Sequence, residues 1–198
     1  MMDNVFWIDD KTTYNNQVNN PQWRIHTVET MKLIDKLGGL CGAVLDIGTR
    51  NFFTETLEIM YNVKIDSTSG DLDEVFICPK EKYDFIHYNN VIEHQYNPLY
   101  TLLEIKKHLK PNGLLIIGCP LKPKWITSAK CHFHEFDRYA YDKLIDRAGF
   151  KIVEEVLFMK KGNFKGIRNI LSMHTTRAMV GVLISKEVVR KLSTTDKA

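Results

Sequence analysis

The chain has 198 residues, with 27 basic against 24 acidic side chains, a net charge of +3 and a pI near 8.6. That length suits one domain of ordinary size, and the mild, dispersed charge excludes the basic stripe of a nucleic-acid reader, whose pI typically exceeds about 9. No apolar run approaches the ~18 residues that cross a bilayer, and the start Met1-Met2-Asp3-Asn4 has no basic residue leading into an apolar run, so neither a membrane partner nor a signal peptide is expected.

Residues 1–20 are polar and Asn-rich and read as an N-terminal arm; the rest, 21–198, reads as one domain without internal repeats. From Gln22 to Leu37, apolar residues recur at helical spacing, with Pro21 at the start and Gly38-Gly39 as the stop. Gly42 to Asp46 is a buried strand running into Gly48 and a polar turn. Phe52 to Tyr61 then reads as a helix with Phe53, Leu57, Met60 and Tyr61 on its apolar face. Val63 to Asp66 is a short strand. The span from Ser67 to Lys82 is too short for a regular helix plus another full strand, so this side of the sheet is expected to be trimmed.

Tyr83 to Tyr88 is the next strand. Asn97 and Pro98 suit the cap and first position of a helix whose apolar face is Leu99, Leu102, Leu103, Ile105 and Leu109. Lys110 to Gly113 reads as a tight turn, and Leu114 to Cys119 as a strand buried on both faces. A loop over 120–134, a helix over 139–148, a strand over 151–158, a loop with the small basic group Lys160, Lys161, Lys165 and Arg168, and a last strand over 179–184 complete the chain. Strands alternating with helices predict an α/β domain with a mainly parallel sheet. Cys41, Cys78, Cys119 and Cys131 form no Cys-x-x-Cys pair and read as reduced, mostly buried thiols of a cytoplasmic protein.

Polar residues gather where strands end. Asp46 and Gly48 close the first strand. Gly48 lets the backbone pass close to a ligand, and the following helix offers unpaired N–H groups. Asp66 ends the second strand, at a distance along the chain that suits hydrogen bonding to ribose hydroxyls; Asp71 and Asp73 are rivals for that work. Asn89, Asn90, Val91, Glu93 and His94 follow the Tyr83–Tyr88 strand, and Glu93 and His94 are hard to explain as core.

In this order the motifs resemble those of the class I S-adenosylmethionine-dependent methyltransferases. Leu45-Asp46-Ile47-Gly48 is similar to that family's first motif. Tyr83-Asp84-Phe85-Ile86 with Val91-Ile92-Glu93-His94 and Asn97-Pro98 resembles its fourth-strand motif. Leu109 to Leu115 resembles the approach to its fifth strand, and Arg147-Ala148-Gly149-Phe150 the helix end before its sixth. The resemblance implies a Rossmann-like sandwich with a mostly parallel seven-stranded sheet, an antiparallel last strand and, here, a shortened second and third strand region. It implies S-adenosyl-L-methionine as cofactor. Asp46, Ile47 and Gly48, with Thr49 and Arg50, would lie at its methionine end, Asp66 on the ribose, Asp71 and Leu72 beside adenine, and Asn89, Asn90 and Val91 along the sulfonium.

The chain departs from the family where glycines are usual: it has Arg50 and Phe52. Arg50 would point outward, pair with the cofactor's carboxylate, or fill the pocket. Cys131-His132-Phe133-His134-Glu135-Phe136 holds the other reactive side chains. If extended, it would put His132 and His134 on one side and Cys131 and Glu135 on the other. Such residues can bind zinc, but no second ligand cluster is evident in the sequence, so no metal is expected. By resemblance this loop closes over the acceptor, where His132 or His134, with Glu93 and His94, would bind it and His94, His132 or His134 would orient or deprotonate it. The expected function is methyl transfer to a small-molecule acceptor. The competing expectation is a non-catalytic binding protein on the same fold.

Overall fold

The computed structural model describes residues 21–121, 132–159 and 177–185. The N-terminal arm, Cys131 and the basic group at 160–168 lie outside the described residues. The elements run α1 (Pro21–Lys36), β1 (Val44–Asp46), α2 (Phe52–Tyr61), β2 (Ile65–Ser67), β3 (Tyr83–Asn89), a 3-10 turn (Ile92–His94), α3 (Pro98–His108), β4 (Leu109–Leu121), α4 (Arg138–Ala148), β5 (Phe150–Met159) and β6 (Arg177–Ser185).

The sheet order is β2-β1-β3-β4-β6-β5. The first four strands are parallel, and β6 runs antiparallel to both β4 and β5. Successive side chains of a strand face opposite ways, so the apolar runs feed two cores. Val44, Phe85, Ile116 and Val182 meet Leu33 and Ile34 of α1 and Phe53 and Leu57 of α2. Leu45, Ile86, Ile117 and Leu183 meet Leu102 and Ile105 of α3 and Tyr141 and Ile145 of α4. Helices on both faces leave the carboxyl ends of β1, β2 and β3 side by side at one edge of the sandwich.

Local chemistry sets the element ends. Asn51 caps α2, its side chain accepting from Phe53 N (2.9 Å) and Thr54 N (3.4 Å). Asn97 caps α3 by accepting from Tyr100 N (3.2 Å), with Pro98 following, as expected from the sequence. Asp137 caps α4 by accepting from Ala140 N (2.7 Å), and Gly149 ends it at φ +84.

Some expectations are corrected. Among the described residues the sheet has six strands rather than seven, because residues 68–82 add only one bridge, Ser69 to Ile77. The turn expected at Lys110–Gly113 is instead a bulge inside β4: Tyr83 pairs with Leu109, but Phe85 pairs with Leu114. Lys110 Nζ fastens that bulge to Asp84 Oδ2 at 2.8 Å. Met60 and Leu103 are exposed, not core, because they sit at the rims of their helices' apolar stripes. Of the three described cysteines, all free thiols, Cys119 alone is buried; Cys41 is exposed. No helix among the described residues is long and apolar enough to cross a membrane.

Candidate functional site

The turn after β1 is held from below. Asp46 is 4% exposed. His87 Nδ1 of the neighbouring β3 donates to its Oδ1 (2.7 Å), and Thr54 Oγ1 of α2 donates to its Oδ2. Thr54 Oγ1 also accepts from Asn51 N (3.3 Å). A buried carboxylate needs such partners, and here they lock β1, β3 and the first turn of α2 together. Ile47 is in the core, and its N–H donates to His87 O (2.8 Å). Gly48, at φ +114, then turns the chain outward, a backbone state that side-chain-bearing residues rarely adopt. Its N–H donates to Thr68 Oγ1 just past β2 (2.8 Å).

Thr49 and Arg50 are exposed. The Arg50 guanidinium grips Glu58 of α2, one contact being Nη1 to Oε1 at 3.1 Å, with Glu55 at 4.0 Å. Glu58 Oε1 in turn accepts from Ile65 N at the start of β2 (2.8 Å). Hydrogen bonding to Arg50 holds the Glu58 carboxyl below its ordinary range. Arg50 therefore lies along α2, the outward of the three orientations open to it.

The acidic residues past β2 divide. Asp66 is paired with Lys80 across the short crossover. Asp71 shapes a tight turn, its Oδ1 accepting from Asp73 N (2.9 Å). Leu72 packs against the core under α3. Asp73 is engaged structurally: its carboxylate accepts from Tyr96 N (3.0 Å) and Asn97 N (2.9 Å), fixing the segment that leads into α3.

Asn89 and Asn90 end β3. Asn89 Nδ2 donates to His26 Nδ1 on α1 (2.9 Å). Its side chain fills the space that a Cβ on Gly118 of β4 would take, so Gly118 is glycine for Asn89's sake. Asn90 adopts φ +52, a left-handed state that Asn tolerates, and its N–H donates to Gly118 O (2.9 Å). Oδ1 of Asn89 and Oδ1 of Asn90 are buried with no hydrogen-bond partner among the described residues. Val91 comes next; a Cβ built on Gly48 would lie 3.7 Å from its Cγ2. The turn after β1 and the segment after β3 thus face each other.

The two histidine-bearing stretches also meet. Glu93 and His94 lie on the 3-10 turn after β3, Glu93 at 2% exposure. Glu93 O accepts from Phe133 N (2.9 Å) and His134 N (3.1 Å), docking the segment before α4 onto the turn. His94 and His132 rings pack edge-on at 4.8 Å. His132 Nδ1 donates to Glu135 Oε1 (3.0 Å). The expected alternation fails here: a bend at Phe133 brings His132 and Glu135 together, while His134 turns away to donate to Tyr96 O (3.2 Å) and stack on Phe136.

Sequence reading missed His26, Thr54, Thr68, Lys80 and His87. Each acts through a partner distant in the chain, and only the N-cap spacing of Asn51 and Thr54 carried a local signal.

A family model described as a methyltransferase domain matches residues 22–155, more than half of the chain. No curated protein matches the sequence significantly. Among solved structures, the N-methyltransferase NodS from Bradyrhizobium japonicum, in complex with S-adenosylhomocysteine, is 16% identical with a TM-score of 0.58, covering 90% of this chain and 93% of its own. The 1,6-didemethyltoxoflavin N1-methyltransferase from Burkholderia thailandensis, bound to 1,6-didemethyltoxoflavin and S-adenosylhomocysteine, is 14% identical with a TM-score of 0.57, covering 88% and 85%. The cyclase SpnF has a TM-score of 0.56 at 10% identity, covering 81% of each chain. At these identities the likeness concerns the fold. With the family match across the sheet and the motifs at its strand ends, the chain belongs to the methyltransferase domain family, on the fold of the class I S-adenosylmethionine-dependent methyltransferases.

Proposed function

We propose that this protein transfers a methyl group from S-adenosyl-L-methionine to a small-molecule acceptor. The observation that carries the reading is the facing pair of segments after β1 and β3, Gly48 against Val91, at adjacent strand ends where open α/β sheets hold ligands. The orphaned amide oxygen of Asn90 supports it, since a buried acceptor without a partner suits a donor on a ligand. NodS and the didemethyltoxoflavin methyltransferase, alike in fold, were solved with S-adenosylhomocysteine, the second with a small-molecule acceptor as well.

In this reading Ile47, Gly48 and Thr49 pass the methionine end, Asp66 takes the ribose in exchange for Lys80, and Asp71 and Leu72 border adenine. Asn89, Asn90 and Val91 line the sulfonium side. Arg50, held by Glu58, shapes the turn and leaves room above Gly48. Glu93, His94 and His132 border the acceptor, with His134 at its outer rim. Much of the rate gain in such a transfer comes from holding donor and acceptor in line.

Calorimetry with S-adenosylhomocysteine tests the reading. The parent is expected to bind it, and Asp66→Asn to bind it about tenfold more weakly, as one charge-assisted hydrogen bond is weakened. A parent that does not bind the ligand overturns the proposal.

A further inference from the structure

We propose that Glu93, His94 and His132 form a binding site for a divalent transition-metal ion. One ligand atom from each lies within 4.8 Å of the other two. The three come from two stretches far apart in the chain, so the second ligand cluster that the Cys131–Phe136 segment lacked is supplied by the turn after β3. Around a zinc ion with bonds of about 2.1 Å, tetrahedral ligand atoms stand about 3.4 Å apart. The cluster closes to that spacing by side-chain rotation of an ångström or so.

The surroundings suit a metal. A metal-bound imidazole usually donates its other ring nitrogen to a carboxylate, which fixes its tautomer and orientation. His132 does this: Nδ1 donates to Glu135 Oε1 at 3.0 Å, which puts the lone pair of the neutral ring on Nε2. Glu93 is 2% exposed, and its Oε1 lies 3.9 Å from His94 Nε2. The two stretches are already joined without a metal, through Glu93 O and the N–H groups of Phe133 and His134, and by the Tyr96 and Phe133 rings at 3.9 Å. The site is therefore held ready, with little ordering left for the ion to do.

Two imidazoles and one carboxylate favour zinc and its transition-metal neighbours over magnesium or calcium, which prefer all-oxygen shells. Three protein ligands leave a coordination position for water or for an oxygen of the acceptor. That last use rests on the methyltransferase reading; the metal site itself does not.

The test is zinc titration of the untagged, chelator-stripped full chain against a chromogenic chelator, with magnesium in parallel. One zinc per chain is expected, bound at least 100-fold more tightly than magnesium. Glu93→Gln and His132→Ala should each weaken zinc about 100-fold. Glu135→Gln, which removes only the orienting carboxylate's charge, should weaken it about tenfold. Circular dichroism confirms that each variant is folded, and Glu93→Gln is isosteric should His132→Ala unfold. His108→Ala is the control, because His108 Nδ1 and Cys78 Sγ, 3.4 Å apart, are another pair of zinc-competent side chains among the described residues. Zinc affinity that survives Glu93→Gln and His132→Ala, or that falls equally in His108→Ala, overturns the site. S-adenosylhomocysteine affinity, measured on the same stripped parent, reports on the cofactor reading separately.

Discussion

Thr54 uses its hydroxyl twice, accepting from Asn51 N and donating to Asp46. One side chain thereby completes the cap of α2 and satisfies a buried carboxylate. Thr54→Val keeps the shape and removes both bonds. It is expected to cost about 1–3 kcal/mol, the penalty of a buried charged group left short of a partner, read by urea denaturation. Arg50 is the contrasting case. Its pair with Glu58 is partly exposed, 46% on the Arg50 side and 19% on the Glu58 side, and surface pairs contribute about 0.2–1 kcal/mol. Arg50→Ala should lower stability by no more than that and leave S-adenosylhomocysteine affinity within about twofold. A gain of binding only on removing Arg50 would mean that the side chain blocks the pocket.

At the scale of elements, legibility follows sequence distance. Asn97-Pro98 at the start of α3 and Gly149 at the end of α4 were readable because a cap is decided within a few residues. The start of β4 was not, because its first pair reaches back to Tyr83 across a bulge that looks like a turn. The site shows the same divide. Gly48, Glu93 and His94 were visible as residue types at strand ends, whereas the union of Glu93 with His132 and the bracing of Asp46 by His87 depend on which strands become neighbours. Gly118 illustrates how tightly that neighbourhood is drawn. Gly118→Ala would drive a methyl group into Asn89 and is expected to destabilise by about 1–3 kcal/mol. Adding Asn89→Ala should return part of that loss, a coupling that a double-mutant cycle in urea would read.

For the whole molecule, carboxylates tie the sheet's layers together and set its response to acid. Glu58, hydrogen-bonded by Arg50, and Asp84, hydrogen-bonded by Lys110, are both held below their ordinary ranges. Asp84 also accepts from Ala43 N ahead of β1 (2.8 Å). A carboxyl with a lowered native pKa stabilises fully above its unfolded value, about 4.3 for Glu and 3.9 for Asp. That stability is lost as pH falls through the native values. The protein should therefore lose stability from about pH 5 downward, and Asp84→Asn should flatten that slope without changing the neutral-pH midpoint's dependence on higher pH.

The position of β6 between β4 and β5 carries a consequence for how the chain is made. β5 pairs with β6 and with no other described strand, so when residues 150–159 leave the ribosome their native partner has not yet been made. The inner edge of β4 stays unpaired through the same interval. Until residue 185 has emerged, the nascent chain presents two apolar strands with open backbone edges, the kind of surface that draws chaperones or self-association. Stalled nascent chains ending after β5 should thus be protease-sensitive across 150–159, and chains extended well past β6 resistant.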